Sequence, residues 1–239
     1  MAINVDDVYQ KVLSLANKEQ RGYITPQEFN LYADHAQKEI FEQYFYELNQ
    51  VLRAHGNSEE YSDIIDNLRD KISIFERIGG PINPPIFTSG VYRLGSVFVE
   101  TQNQDPQLKY KGLEIQQVKQ DELKKMQRSP LLKPRVSRPV CVQINNQCFV
   151  YPTSAESEYI EMVTYSYIIE PSKPNWGYVV VGGNAMYNSP ASTNFSLHSS
   201  EENELVYRIL TQAGVSIQRQ DITQIGMAGH AMQSQQEKQ

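Results

Sequence analysis

The sequence contains few of the residues that hold proteins together through covalent bonds or metals. It has two cysteines and four histidines in 239 residues. Two sulfurs without neighbouring ligands do not complete a tetrahedral site, and His35, His55, His198 and His230 lie far apart along the chain. We therefore predict no metal and no cofactor. The chain is also long enough to bury a core without a disulfide.

An excess of positive charge is missing as well. The formal net charge is -6 and the isoelectric point is about 5.3, which argues against a protein that works mainly by neutralising nucleic-acid phosphates. The sequence has no run of 18 apolar residues and no basic N-terminal segment followed by an apolar one. We expect a protein that is made in the cytoplasm and does not span a membrane.

The common catalytic and nucleotide-binding motifs do not occur either. The segment VVVGGNAM (179–186) lacks the third glycine and the following helix of a dinucleotide-binding turn, and we expect a hairpin or bulge turn at Gly182-Gly183-Asn184. The segment NKEQRGYITPQE (17–28) has the length of a calcium loop, but Arg21 occupies a ligand position. We predict a helix-to-helix turn there, and a protein that is not an enzyme.

The first third of the chain has the sequence pattern of helices. Asn4 is the expected cap of a helix that runs to about Ala16. Thr25, Pro26 and Glu28 form the start signal of a long second helix, in which Thr25 and Glu28 cap each other, and apolar residues then recur at helical spacing to about residue 54 or 56. A third helix is predicted over 59–78, ending at a Gly-Gly-Pro sequence. These helices suggest a helical hairpin or small bundle.

Beyond residue 80 the pattern changes to that of strands. Strands are predicted from Val91, in a hairpin over 139–152, from Tyr159 and from Trp176, with a short helix capped by Asp121 between them. A final helix is expected after Ser199 or Ser200 and should end at Gly214. The resulting fold class is α+β, with a helical domain at 1–80, a β-rich domain that includes the C-terminal helix at 81–225, and a polar tail at 226–239.

The two cysteines lie on the arms of the predicted 139–152 hairpin. Its expected register places Gln143, not Cys141, opposite Cys148, so that the thiols are diagonal neighbours on one face. That separation is usually too long for a disulfide. We favour two buried, reduced thiols over a reactive or metal-binding pair.

Two groups of residues are candidates for contacts with other molecules. Aromatic residues of the second helix are predicted to pack or to make contacts: Phe29, Tyr32, Tyr44 and Phe45. A concentrated basic segment contains Lys124, Lys125, Arg128, Lys133, Arg135 and Arg138. It can complement the acidic helices over residues 39–76 in a subunit contact, form a solvated loop, or contact passing DNA.

Two blocks of the sequence resemble virion structural proteins of marine and crAss-like tailed bacteriophages. The first is ANKEQRGYITPQEFNLYADHAQKEIFEQYFYELNQ (16–50), and the second is IIEPSKPNWGYVV (168–180) followed by FSLHSSEENELVYRILTQAGVSI (195–217). The resemblance covers nearly the whole chain. It implies an adaptor or ring protein of the head-to-tail connector, also called the neck, in a homo-oligomer of about twelve copies, whose ring closure needs two different contact faces on each copy.

The same resemblance implies partners and a location. The partners would be the portal protein and other neck or tail proteins, with a possible passing contact with viral DNA. The protein would be made in the bacterial host cytoplasm, would lie at the head-to-tail junction of the virion, and would help to retain DNA. A phage assembly factor that is absent from the virion is the main alternative, and a phage-encoded enzyme is a weaker one.

Overall fold

A computed structural model describes residues 3–17, 24–53, 59–87, 90–100, 111–145, 147–153, 160–216 and 227–228. These residues include five α-helices and nine strands, so the predicted α+β class is confirmed. Residues 18–23 of the calcium-loop-like segment, and the predicted tail except for residues 227–228, lie outside the described residues. The chain divides into two compact units: unit 1 consists of residues 1–74 and 171–239, and unit 2 consists of residues 75–170.

The helices and strands are named here in chain order. They are α1 (Val5–Asn17), α2 (Pro26–Arg53), α3 (Glu59–Ser73), β1 (Glu76–Ile82), β2 (Ile86–Phe87), β3 (Val91–Glu100), β4 (Glu114–Gln117), α4 (Gln120–Arg128), β5 (Val140–Ile144), β6 (Gln147–Tyr151), β7 (Met162–Ile169), β8 (Tyr178–Val181), β9 (Asn184–Tyr187) and α5 (Glu202–Ser216).

Unit 1 is a helical bundle in which α2 packs against α3 and α5, and α5 also packs against α1. The predicted start signals are confirmed. Asn4 accepts a hydrogen bond from the backbone N–H of Asp6 at 3.0 Å. Thr25 and Glu28 cap each other, since the Glu28 carboxylate accepts from the Thr25 N–H at 2.9 Å and the Thr25 hydroxyl accepts from the Glu28 N–H at 3.3 Å. The long helix α2 therefore begins where the sequence predicts.

The third helix is shorter than predicted. Helix α3 ends at Ser73, and residues 76–82 form strand β1 instead of a last helical turn. The reason is tertiary, because β1 pairs with β7 and the backbone N–H of Ile169 donates to the carbonyl of Phe75 at 3.1 Å. Ile78, the last residue of the predicted helix, is 84% exposed on this strand.

The C-terminal helix belongs to unit 1, which differs from the predicted β-rich domain of residues 81–225. Its buried face contains the predicted residues Leu205, Val206, Ile209 and Leu210. A 3-10 turn at Ser199–Glu201 precedes α5, and its cap is His198, whose ring accepts from the N–H of Ser200 at 3.2 Å, so neither Ser199 nor Ser200 caps this helical segment. Helix α5 also continues through Gly214 to Ser216, because contacts with α1 and α2 outweigh the weak helical preference of glycine.

Unit 2 contains a seven-stranded sheet in the order β1-β7-β3-β4-β5-β6-β2. Its pairs are antiparallel except for β4 and β5, which are parallel and are connected through α4. One apolar core lies among β2–β7, and a smaller one packs α4 against β5 through Leu123, Val140 and Val142. Asp121 is not the cap of α4 as predicted, since that position belongs to Lys119.

The cysteine hairpin has the predicted register. Strands β5 and β6 pair Gln143 with Cys148 and Cys141 with Val150. Both cysteines are free and buried in one apolar core. The hydrogen bond with Cys148, together with burial, raises the pKa of Cys141 above its ordinary value. A thiolate is therefore disfavoured at Cys141, which is typical of a structural cysteine and not of a nucleophile.

Candidate protein-interaction surfaces

The single tryptophan of the chain anchors a short hairpin to the helices of unit 1. Trp176 is 2% exposed, and its indole N–H donates to the Asp6 carboxylate at 2.9 Å. Its ring lies 4.2 Å from that of Tyr9, centroid to centroid, and 5.9 Å from those of Tyr178 and Tyr187. The first residue of β8 and the last residue of β9 are thus stacked around an indole that is fixed to α1.

Polar side chains of α2 hold the segment that leads into this hairpin. Asn30 accepts from the backbone N–H of Trp176 at 2.7 Å and donates to the Asn175 side chain at 3.0 Å. Gln37 is fully buried, donates to the Ser172 carbonyl at 2.8 Å and accepts from the Ser196 N–H at 3.0 Å. Asn30 and Gln37 are therefore positioning residues for the segment 171–197.

Sequence reasoning did not identify these two polar residues. They lie seven positions apart on α2, which is about two helical turns, so both occupy one helix face. A polar amide inside an apolar stripe is the signal that was present in the sequence. The sequence does not indicate the hydrogen-bond partners of the Gln37 amide, because they are backbone groups 135 and 159 positions away.

Gly177 fits tightly at the base of the hairpin. A Cβ atom at this position would lie 2.6 Å from the backbone carbon and oxygen of Ala191, which is closer than non-bonded atoms normally approach. The Gly177 carbonyl accepts from the N–H of Asn188 at 2.8 Å, and its own N–H donates to the Ser192 hydroxyl at 3.0 Å. The base of the hairpin is thus closed by a glycine that no larger residue can replace without movement.

Beyond this base, β8 and β9 present apolar side chains to solvent. The turn at Gly182 and Gly183 has positive φ at both residues (59° and 86°), as the predicted tight hairpin turn requires. In the part of the chain that the structure describes, β8 and β9 pair only with each other. The exposed fractions of the large apolar residues are 49% for Val179, 62% for Val180, 56% for Val181, 57% for Met186 and 37% for Tyr187.

The same stretch has no formal charge. No Asp, Glu, Lys or Arg occurs from Pro174 to Ser200. Exposed strand edges in isolated proteins are usually protected by charged side chains or proline, and clustered exposed apolar residues mark interaction sites. The hairpin β8–β9 is therefore a candidate protein-interaction surface, which we call the apolar hairpin.

Unit 2 carries a second candidate, the basic surface, formed by α4 and residues 129–138. Leu123 is buried, whereas Lys124, Lys125 and Arg128 are exposed. The following loop is ordered by backbone hydrogen bonds between Arg135 and Arg138 at 2.9 and 3.3 Å. It also holds two exposed leucines, Leu131 at 89% and Leu132 at 47%.

The exposed face of α2 in unit 1 has the opposite character. Glu42, Gln43, Tyr46, Glu47 and Gln50 line an open groove of about 480 Å³, which we call the acidic groove. Tyr46 is 69% exposed, and Glu47 accepts from the Gln43 amide at 2.6 Å.

The aromatic residues that the sequence suggested for packing or contacts have packing roles in three of four cases. Phe29, Tyr44 and Phe45 are 0%, 3% and 7% exposed, and Tyr32 is half-buried. Phe29 lies 4.8 Å from Tyr9 between ring centroids. The first three residues therefore stabilise the helical unit and do not offer a contact surface. The suggested basic residues, in contrast, are all exposed: Lys124, Lys125, Arg128, Lys133, Arg135 and Arg138.

Histidines and carboxylates show structural roles where they are described. His35 contacts the Gln212 amide at 2.7 Å, and His198 caps the start of the α5 segment. The buried Glu201 forms an ion pair with Lys71 at 2.6 Å. Among the described residues, no group of three or more His, Cys, Asp or Glu side chains has the geometry to hold a metal ion.

The helices that the structure describes are also too short or too polar to cross a lipid bilayer. No protein-family model matches this chain, and no curated protein matches it at a significant level.

Proposed function

We propose that this chain is a non-catalytic structural protein that works by assembling with copies of itself and with other proteins. The apolar hairpin carries this proposal, because it combines exposed apolar strands with a rigid base and an uncharged stretch of sequence. Trp176, Asn30 and Gln37 hold its base on α1 and α2, so the surface is pre-organised and little ordering entropy is lost on binding.

The resemblance to virion proteins of marine and crAss-like tailed phages makes the proposal more specific. We propose a head-to-tail connector ring protein, in an adaptor or neck position, that binds the portal, joins head to tail and helps to retain DNA. The basic surface and the acidic groove support a ring, because closed rings are built from two different, complementary faces on each copy.

The test combines two measurements on the phage that encodes the chain. Mass spectrometry of purified particles should detect the protein at a stoichiometry of several copies per particle, and native mass determination of the isolated chain should show a ring-sized oligomer or a complex with the portal. Absence from purified particles would refute the virion role and would favour the assembly factor that acts before particles are complete.

A variant with a disrupted apolar hairpin gives a sharper version of this test. Val180→Asp places a charge at an exposed apolar position, where a folded monomer should tolerate it within about 0.5 kcal/mol. Asn67→Asp on α3 adds the same charge at an exposed position outside the hairpin and is the matched control. Loss of incorporation into particles for Val180→Asp alone would support the hairpin as the contact surface, whereas normal incorporation of both variants would exclude it.

A further inference from the structure

The formal charge of this chain is unevenly divided between its two units. Unit 1 has a clear excess of Asp and Glu over Lys and Arg, whereas unit 2 has nearly equal numbers of both, so the negative charge of the chain resides in unit 1. Within unit 2, the cations concentrate on α4 and residues 129–138. Unit 1 therefore carries the net negative charge, and unit 2 carries a local excess of cations that follows the exposed acids Asp121 and Glu122 at the start of α4.

Three cations of α4 and one carboxylate of the groove have no ion-pair partner among the described residues. Lys124, Lys125 and Arg128 form no ion pair there, and neither does Glu42. In contrast, the nearby cation Arg208 is already paired with Glu204 and lies 3.5 Å from Glu39. The acidic groove thus keeps its negative charge.

The two surfaces also match in their apolar groups. Leu131 is 89% exposed within the basic surface, and Tyr46 is 69% exposed within the acidic groove. A cation over the Tyr46 ring would gain a cation–π interaction, and Leu131 would be removed from water on contact. Charge and apolar complementarity therefore occur together, which is typical of protein interfaces with an aromatic or apolar centre and a charged rim.

We propose that the basic surface of one copy docks on the acidic groove of a second copy of this chain. The contact is heterologous, since each copy contributes α4 and residues 129–138 on one side and the α2 face on the other, and repetition closes a ring when the rotation between copies allows it. This inference rests on the proposed function and names the self-contact that the ring requires.

Reversal of charge on each side, and then on both, tests the contact. The variant Glu42→Lys/Glu47→Lys reverses the groove, Lys124→Glu/Arg128→Glu reverses the basic surface, and a third variant carries all four substitutions. In full-length protein, sedimentation and native mass measurements should show that either reversal weakens self-association about ten-fold or more, while the combined variant recovers it to within about three-fold of wild type.

Two controls separate this contact from general effects of charge. Asp63→Lys/Asp66→Lys makes the same change in net charge on exposed positions of α3, and it should leave self-association within about two-fold of wild type. Wild-type association should also weaken as ionic strength rises from about 0.05 to 0.5 M, because added salt shortens the screening length.

Several outcomes would overturn the proposal. The wild-type chain could stay monomeric at every concentration, or the α3 control could lose as much self-association as the two reversal variants. The combined variant could fail to recover self-association. The charge reversals could also change the stability of the fold without changing the oligomeric mass. Any of these results, found together with the protein in purified particles, would refute this contact and leave the connector proposal intact. Absence from particles with intact charge-dependent assembly would refute the connector and leave the contact.

Discussion

Trp176 is the residue whose replacement tests the anchor of the apolar hairpin most directly. Trp176→Ala removes a side chain that is 2% exposed, together with its stacking on Tyr9. Replacement of a buried Trp by Ala typically costs about 3–5 kcal/mol, since packing is lost and a cavity remains. We expect a loss of that size in the free energy of unfolding of unit 1.

Trp176→Phe separates the hydrogen bond from the packing. It keeps an aromatic ring but removes the indole N–H that donates to Asp6 at 2.9 Å. A hydrogen bond to a charged group contributes about 1.5–3 kcal/mol, and we expect the lower end because Asp6 is half-buried and water can replace the donor. A double-mutant cycle with Asp6→Asn should give a coupling energy of about 1 kcal/mol.

The assay is urea unfolding followed by far-ultraviolet circular dichroism, because the variants have no tryptophan. Tyr46→Ala is the control, since it removes an aromatic side chain that is 69% exposed and should change stability by less than about 0.5 kcal/mol. In the wild type, fluorescence of the single tryptophan reports on unit 1 alone. If both Trp176 variants were as stable as the Tyr46→Ala control, Trp176 would not be the anchor of the apolar hairpin.

Three further predictions concern the cap of α2, the thiols and the base of the hairpin. Hydrogen bonds from Thr25 lower the pKa of Glu28 in the folded protein. The ionised Glu28 carboxylate therefore stabilises the fold fully above its pKa in the unfolded chain, and this stabilisation is lost as the pH falls through its pKa in the folded protein. The stability advantage of wild type over Glu28→Gln should accordingly shrink between about pH 5 and pH 3 in acid titrations of unfolding, and a constant difference would contradict this capping role. Cys141 and Cys148 should react with a thiol reagent only after unfolding, because both are buried in the core of unit 2; fast labelling of the native protein would show that this core opens. Gly177→Ala should cost about 1–3 kcal/mol in thermal or urea unfolding, since its Cβ would meet the Ala191 backbone at 2.6 Å, and an unchanged stability would mean that this turn relaxes freely.

Local signals in the sequence predicted the parts of the fold that depend on neighbouring residues. The Thr25–Glu28 cap involves only residues 25–28, because both of its hydrogen bonds join these two residues. The register of the β5–β6 hairpin follows from a short turn between two alternating strands, so the diagonal placement of Cys141 and Cys148 could be derived. The Gly182-Gly183 turn could also be predicted, because it is a short turn between two neighbouring strands.

Signals from distant parts of the chain decided the elements that the sequence predicted wrongly. The predicted third helix extends to residue 78, but pairing with β7, about 90 positions away, places residues 76–78 in strand β1. Helix α5 continues beyond Gly214 because α1 and α2 pack against this helix. Its position in unit 1 depends on bonds such as the one from Ser196 to Gln37, which local patterns do not contain.

For the candidate surfaces, the sequence by itself determined the composition, and the tertiary structure decided the exposure. The uncharged stretch from Pro174 to Ser200 and the cations of α4 are visible in the sequence. A run of valines has the same letters whether it is buried or exposed, so only the structure shows that Val179–Val181 face solvent while Phe29 and Tyr44 do not. The physical reason is that burial depends on what the rest of the chain places over a side chain, and periodicity reports only which side chains share a face.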